Sequence, residues 1–189
     1  MDRSRRHGFT LLELTASLAL FVILLGALSR VVVETSRFLA DSDLDYTVAS
    51  EVNRAFLKLS QELVRSGWSE NESGVSYPQV AAGGSELRFR LPVDLDGNGT
   101  PFDADGGLEW SATVFSVRLD AAERALWIHD ENGPAVLLGR LIESVSFATY
   151  KEDASLALRE VRIEIDGSKV DAGGREARHA VSASISLRN

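Results

Sequence analysis

The sequence predicts an α+β chain: one long N-terminal helix, part oily and part amphipathic, packed on an antiparallel β-sheet. Three observations predict it. From Phe9 to Ser29 there are twenty-one residues and a single charge, Glu13. Further on, Val48, Val52, Phe56, Leu59 and Leu63 fall four, four, three and four apart, which puts them on one helical face. Beyond Trp68 the period changes to two, the mark of half-buried strands. A helix with one apolar stripe and a sheet with one apolar face each cover the other.

The elements follow in order. A helix over Phe9–Ser29 is about 31 Å long, enough to cross a bilayer. Continued to Ser66 it reaches about 87 Å, with Ala40–Asp45, where Asp and Ser are weak helix formers, the place where a break could fall. Gly67 is the expected stop. The stretches "SENESG" and "AAGGS" read as loops. Leu87, Phe89 and Leu91 alternate with Arg88 and Arg90, a strand, and Leu108–Leu119 and Ala125–Asp130 read as two more. Gly139–Tyr150 reads as a helical turn leading into a strand. Val161, Ile163 and Ile165 make one alternating run, and Val181, Ala183, Ile185 and Leu187 another, with a hairpin-type loop over 166–177 between them. The expected total is five or six mostly antiparallel strands.

Composition narrows the function classes. The chain has 189 residues, 44% apolar and 25% charged, typical of a folded domain with an appendage. Its net charge of −8 repels phosphate backbones, so no nucleic-acid partner is expected. It has no cysteine, which removes disulfides and thiol chemistry.

The N-terminus, with Arg3, Arg5 and Arg6 ahead of the oily run, has three readings: a secretory signal peptide, a plain anchor, or a segment with a dedicated task. Ala27-Leu28-Ser29 resembles a small-residue cleavage site and favours the first. Neither export nor anchoring accounts for Glu13. A carboxylate at the centre of a membrane helix costs roughly 2.5–3.5 kcal/mol, and less near its end.

The string "GFTLLE", with basic residues before it and an apolar run after it, resembles the processing signal of type IV prepilins and pseudopilins. The resemblance implies cleavage by prepilin peptidase between Gly8 and Phe9, N-methylation of Phe9, and an assembly role for Glu13 at the fifth mature position. There the acid would face the new amino terminus of a neighbouring subunit, and such a pair is worth far more in low dielectric than in water. An acid favoured by the helix dipole alone is the plainer alternative. The implied organisation is a basic leader, 1–8; a transmembrane and assembly half-helix, 9–33; an amphipathic half-helix, 34–67; and a β-rich globular part, 68–189, in a pilin-like fold. "LLGRLIESVSFATY" followed by "ALREVRIEID" is similar to minor pseudopilins of the J type and minor pilins of the PilW type. Members of the K type lack the fifth-position acid. The implied setting is the bacterial inner membrane, single-pass, with the globular part in the periplasm. The implied partners are other pilin-like subunits, an inner-membrane assembly platform and membrane lipid.

One loop has its own chemistry. In "DLDGNGTPFDAD", Asp94, Asp96, Asn98, Thr100 and Asp105 take the first, third, fifth, seventh and twelfth places of a calcium loop, with Gly99 at the sixth. Asp103 is a rival to Asp105 for the closing contact. A strand, not a helix, precedes Asp94, and Pro101 lacks an amide proton. A solvated acidic turn is the alternative reading, and calcium, if bound, would be held weakly, at about 10⁻⁴–10⁻³ M. Against an enzyme tethered by the helix stands the inventory. His7 lies in the leader, His129 and His179 stand apart from each other, and no H-E-x-x-H, G-x-S-x-G or S-x-x-K occurs. No catalytic residue is assigned. A membrane-tethered extracytoplasmic enzyme or binding protein remains the second reading.

Overall fold

The computed structural model describes residues 10–70, 75–81, 83–131 and 133–187. It is an α+β chain in which helix α1 (Leu11–Ser66) precedes ten strands among the described residues. The strands are β1 (Ser69–Glu70), β2 (Ser76–Tyr77), β3 (Gln79–Val80), β4 (Glu86–Phe89), β5 (Phe115–Asp120), β6 (Ala125–Asp130), β7 (Val136–Arg140), β8 (Ile142–Thr149), β9 (Glu160–Val170) and β10 (Glu176–Ser186). All pairings are antiparallel: a ribbon β1-β2, a five-stranded sheet β3-β4-β5-β6-β7 and a three-stranded sheet β10-β9-β8.

The chain divides into two compact units, one ending at Asp43 and one beginning at Leu44. In the first, α1 is oily all round, Glu13 apart, as far as Ser29 and carries charges from Arg30 on, and every described residue is exposed. The helix is long and apolar enough to cross a membrane by length and composition. No break occurs at Ala40–Asp45; α1 is continuous there. Asp and Ser cost no more than about 0.7 kcal/mol each in a helix, too little to interrupt one this long.

In the second unit α1 buries Leu44, Val48, Val52, Ala55, Leu59, Leu63 and Ser66 against the sheets. The expected stripe is recovered except that Ala55, not Phe56, lies innermost; Phe56 is half-buried at its margin. The sheets explain the exchange. A Cβ on Gly139 of β7 would stand 2.7 Å from the Ala55 Cβ, and one on Gly167 of β9 would stand 2.5 Å from the Val52 Cγ2. Helix and strands therefore meet backbone to small side chain, and a larger residue at either position would separate them. Polar ties flank this contact: the Lys58 ammonium donates to the Leu137 carbonyl at 3.1 Å, and the Arg140 amide donates to Glu51 Oε2 at 3.0 Å. Past Ser66, Gly67 turns left-handed with φ 64°, the expected stop.

The remaining core comes from the inward faces of both sheets, among them Leu87, Phe89, Val117, Leu126 and Leu138 from the first and Val145, Phe147, Ile163 and Ile165 from the second. Three expectations are corrected. Gly139–Tyr150 holds no helical turn: Gly139 and Arg140 end β7, Leu141 turns with φ 62°, and β8 follows. The Leu141 carbonyl accepts the Ser168 amide at 3.0 Å, which ties that corner to β9. Leu108–Leu119 is not one strand, because only Phe115–Asp120 pairs regularly. The carbonyls of Trp110 and Ser111 instead take the Arg90 guanidinium, at 3.4 and 2.6 Å. The loop between the last two strands shrinks to 171–175, since the β9–β10 ladder runs unbroken from Glu160↔Ser186 to Val170↔Glu176. The extra strands beyond the expected five or six are two-residue pieces at the edges and the separation of β7 from β8.

Candidate functional site

Two places carry the chemistry singled out by the sequence. At the N-terminus, Gly8 and Phe9 lie outside the described residues. Glu13 occupies the first turn of α1. Its Oε2 accepts the Thr10 amide at 2.9 Å and the Thr10 hydroxyl at 3.1 Å, while the Glu13 amide donates to the Thr10 hydroxyl at 3.3 Å. This is a reciprocal capping box, in which an acid three residues into the helix and a threonine at its entrance satisfy each other's orphan groups. Thr10 is therefore a functional partner that the sequence reading missed, although the signal, Thr-x-x-Glu ahead of an apolar run, was present. Among the described residues no group donates to Glu13 Oε1.

The second place is the excursion between β4 and β5. Residues 91–93 and 101–103 both lie against the segment 107–111. Pro92 bridges Trp110, Phe102 bridges Leu108, the Val93 amide donates to the Glu109 carbonyl at 3.0 Å, and the Glu109 amide donates to the Pro101 carbonyl at 2.9 Å. The acidic run 94–100 is thus a tight turn folded over Glu109. Gly97 and Gly99, at φ 75° and 86°, supply the left-handed backbone the turn requires. Asp94 organises it: its carboxylate accepts the amides of Gly97, Asn98 and Gly99 at 2.7, 3.1 and 2.8 Å. The Gly99 amide above all holds the Asp94 carboxyl below its ordinary range, outweighing the opposing effect of burial.

The other expected ligands separate into groups. Asp96 Oδ1 accepts the Asn98 amide at 3.0 Å, and Asn98 Oδ1 takes the amide and hydroxyl of Thr100 at 2.8 and 2.7 Å. Asp103 turns away to close a separate turn, accepting the amides of Asp105 and Gly107 at 3.0 and 2.7 Å. The carboxylates that converge are Asp94, Asp96 and Glu109, one oxygen of each within 4.8 Å of the others. Asp103 and Asp105 stand outside that group. Glu109 also accepts the Leu95 amide at 2.5 Å. Nothing in the local sequence marks it, because the hairpin brings it to Asp94 from fifteen positions downstream. Three like charges at this range repel, and a hard divalent cation is the species that relieves them.

The two described histidines stay apart, His129 on β6 opposite Ser116 and His179 on β10 opposite Gly167. No curated protein and no solved structure matches the chain. Residues 3–29 match the model of the prokaryotic N-terminal methylation motif, and the chain therefore carries a type IV prepilin-like N-terminus ahead of its α+β unit.

Proposed function

We propose that this chain is a minor pilin-like subunit, a pseudopilin of the J or PilW type, whose work is assembly and not catalysis. Prepilin peptidase cleaves it between Gly8 and Phe9 and Phe9 is N-methylated. The oily half of α1 sits in the inner membrane, with the globular unit in the periplasm. Subunits then polymerise through this half-helix into a filament of type II secretion or type IV pilus type, with this one at or near the tip. The observation that carries the reading is the methylation-motif match over residues 3–29. The α+β arrangement and the wholly exposed oily stretch of α1 support it. Glu13, whose Oε1 has no donor among the described residues, supports pairing with the amino terminus of a neighbouring subunit, for which the low dielectric supplies the driving force.

A calcium ion at the acidic turn is the second part of the reading, supported by the convergence of Asp94, Asp96 and Glu109. Oxygen ligands on a flexible loop suit calcium, and an exposed site of this kind binds at about 10⁻⁴–10⁻³ M.

The deciding experiment is the intact mass of the mature chain. The chain recovered from membranes begins at methylated Phe9, and Gly8→Ala retains the eight-residue leader. A mature chain beginning at Arg30, with the oily run removed, would overturn the assignment in favour of an exported enzyme or binding protein.

A further inference from the structure

The five-stranded sheet has a second face, turned away from the core, that the assembly reading leaves unused. Along β5 and β6 the side chains alternate: Val117, Leu126 and Ile128 point into the core, and Arg118, Trp127 and His129 point out. Register places Arg118 directly across from Trp127, and Ser116 across from His129. The β6–β7 ladder shifts register between Leu126 and Trp127. The turn after β5 adds Asp120 and Glu123. Together with Ala135 these side chains line an open cleft of about 540 Å³.

Most polar groups around this cleft lack protein partners. Glu86 stands across from Arg118 in the β4–β5 ladder but its Oε1 is taken by Arg88 at 2.8 Å, so among the described residues Arg118 has no ion pair, and neither Glu123 nor His129 has a side-chain hydrogen bond. Among the described residues the Trp127 indole N–H meets no acceptor, and it is not a buried orphan. Asp120 is the exception, its carboxylate holding the Ala122 and Glu123 amides at 2.9 and 3.1 Å. Burial, and then the neighbouring Arg118 charge, hold the His129 imidazole below its ordinary range.

These features choose among ligands. A phosphate chain meets Asp120, Glu123 and a net charge of −8. A cation meets Arg118, and with Asp120 already held by two amides only Glu123 is left to balance it. A lipid finds no deep apolar wall beside Trp127. What fits is a neutral molecule with one apolar face for the indole and hydroxyls at its edge for a rim holding both donors and acceptors. A pyranose ring has that shape. We propose that this cleft binds a neutral saccharide chain, with Trp127 as the stacking platform and Arg118, Glu123 and His129 as the hydrogen-bonding rim.

The test uses the full chain in a sugar-free detergent such as lauryldimethylamine oxide, with chitotetraose, cellotetraose and maltotetraose as probes, read by ligand-observed NMR and calorimetry. At least one tetrasaccharide binds saturably to the native chain. Trp127→Ala weakens it by roughly tenfold or more, Trp127→Phe retains most of the affinity, and Arg118→Ala falls between. All three keep the native melting temperature if they act at the cleft alone. Should Trp127→Ala fail to fold, Trp127→Phe and Arg118→Ala decide. The proposal is overturned if no neutral tetrasaccharide binds, if loss of the Arg118 or Trp127 side chain leaves binding intact, or if a heparin tetrasaccharide or tetralysine binds in preference. None of these outcomes touches leader cleavage, so the two readings fail separately.

Discussion

One helix meets two kinds of surroundings. Before Leu44, α1 shows leucine, valine and phenylalanine on every side, and Leu18, Phe21 and Ile23 are 62, 58 and 65% exposed. From Leu44 on, the same backbone has a single buried stripe, with Val48, Val52, Ala55, Leu59 and Leu63 fully enclosed. The difference lies in what each stretch contributes to the folded monomer. A stripe is the signature of one partner surface within the chain, whereas an apolar girdle has no preferred side and is satisfied by lipid or a ring of neighbours. Each enclosed leucine adds about 1.5–3 kcal/mol to the fold, and each exposed one adds almost nothing until something covers it.

The largest effects should separate the two stretches. Leu59→Ala leaves a cavity in the core and lowers the unfolding free energy by about 2–5 kcal/mol. Leu20→Ala, in the girdle, shifts it by less than about 0.5 kcal/mol but weakens retention in the membrane. Urea unfolding of the full chain in detergent, with membrane fractionation alongside, measures both. Equal destabilisation by the two variants would break the comparison.

The legible part of the fold follows the same division. The oily run, the stripe and the alternating strands near Leu87, Ile163 and Ile185 were readable because each depends on residues close in sequence. What was not readable depends on residues brought from afar. Ala55 displaces Phe56 because Gly139 and Gly167 come close to the helix, and no local period reports that approach. Trp110 and Ser111 leave their strand for Arg90, twenty or so positions upstream. At the acidic turn the neighbouring carboxylates of Asp94 and Asp96 do lie close together. The third carboxylate was sought at Asp103 or Asp105, by analogy with a loop closed within twelve residues. Here a hairpin closes it with Glu109.

That substitution gives an intermediate prediction. With calcium at 10 mM and binding at about 10⁻³ M, the stabilisation is about 1.4 kcal/mol, a rise of a few degrees in melting temperature. Glu109→Gln abolishes most of the rise, and Asp105→Asn leaves it intact. The reverse result would restore the twelve-residue loop. In chelator the Asp94 carboxylate still holds three amides of the turn. Its folded carboxyl titrates below the ordinary value of 3.8, so its contribution is complete above that value and is lost as pH falls through the lower, folded one. Melting followed from pH 6 down to pH 2 should show this acid loss, and Asp94→Asn should reduce it, leaving the part due to Asp153, whose carboxyl Ser155 also holds low.

The smallest effect on folding should come from Glu13, and it decides what that acid is for. Its bonds to Thr10 are those of a helix cap, worth about 0.5–2 kcal/mol to the first turn. That turn is exposed and can fray without disturbing the core, so Glu13→Ala should move global unfolding by less than about 0.5 kcal/mol. Capping accepts glutamine nearly as well as glutamate, because an amide oxygen also takes the Thr10 amide proton. Pairing with a neighbour's amino terminus does not, because it needs the negative charge. Glu13→Gln therefore separates the two roles: it keeps the cap and removes the ion. If Glu13→Ala and Glu13→Gln both fail to enter filaments while Thr10→Val enters them, the charge is what assembly selects. If Glu13→Gln assembles normally and Thr10→Val does not, the acid serves its own helix, and the oily stretch joins its neighbours by packing alone.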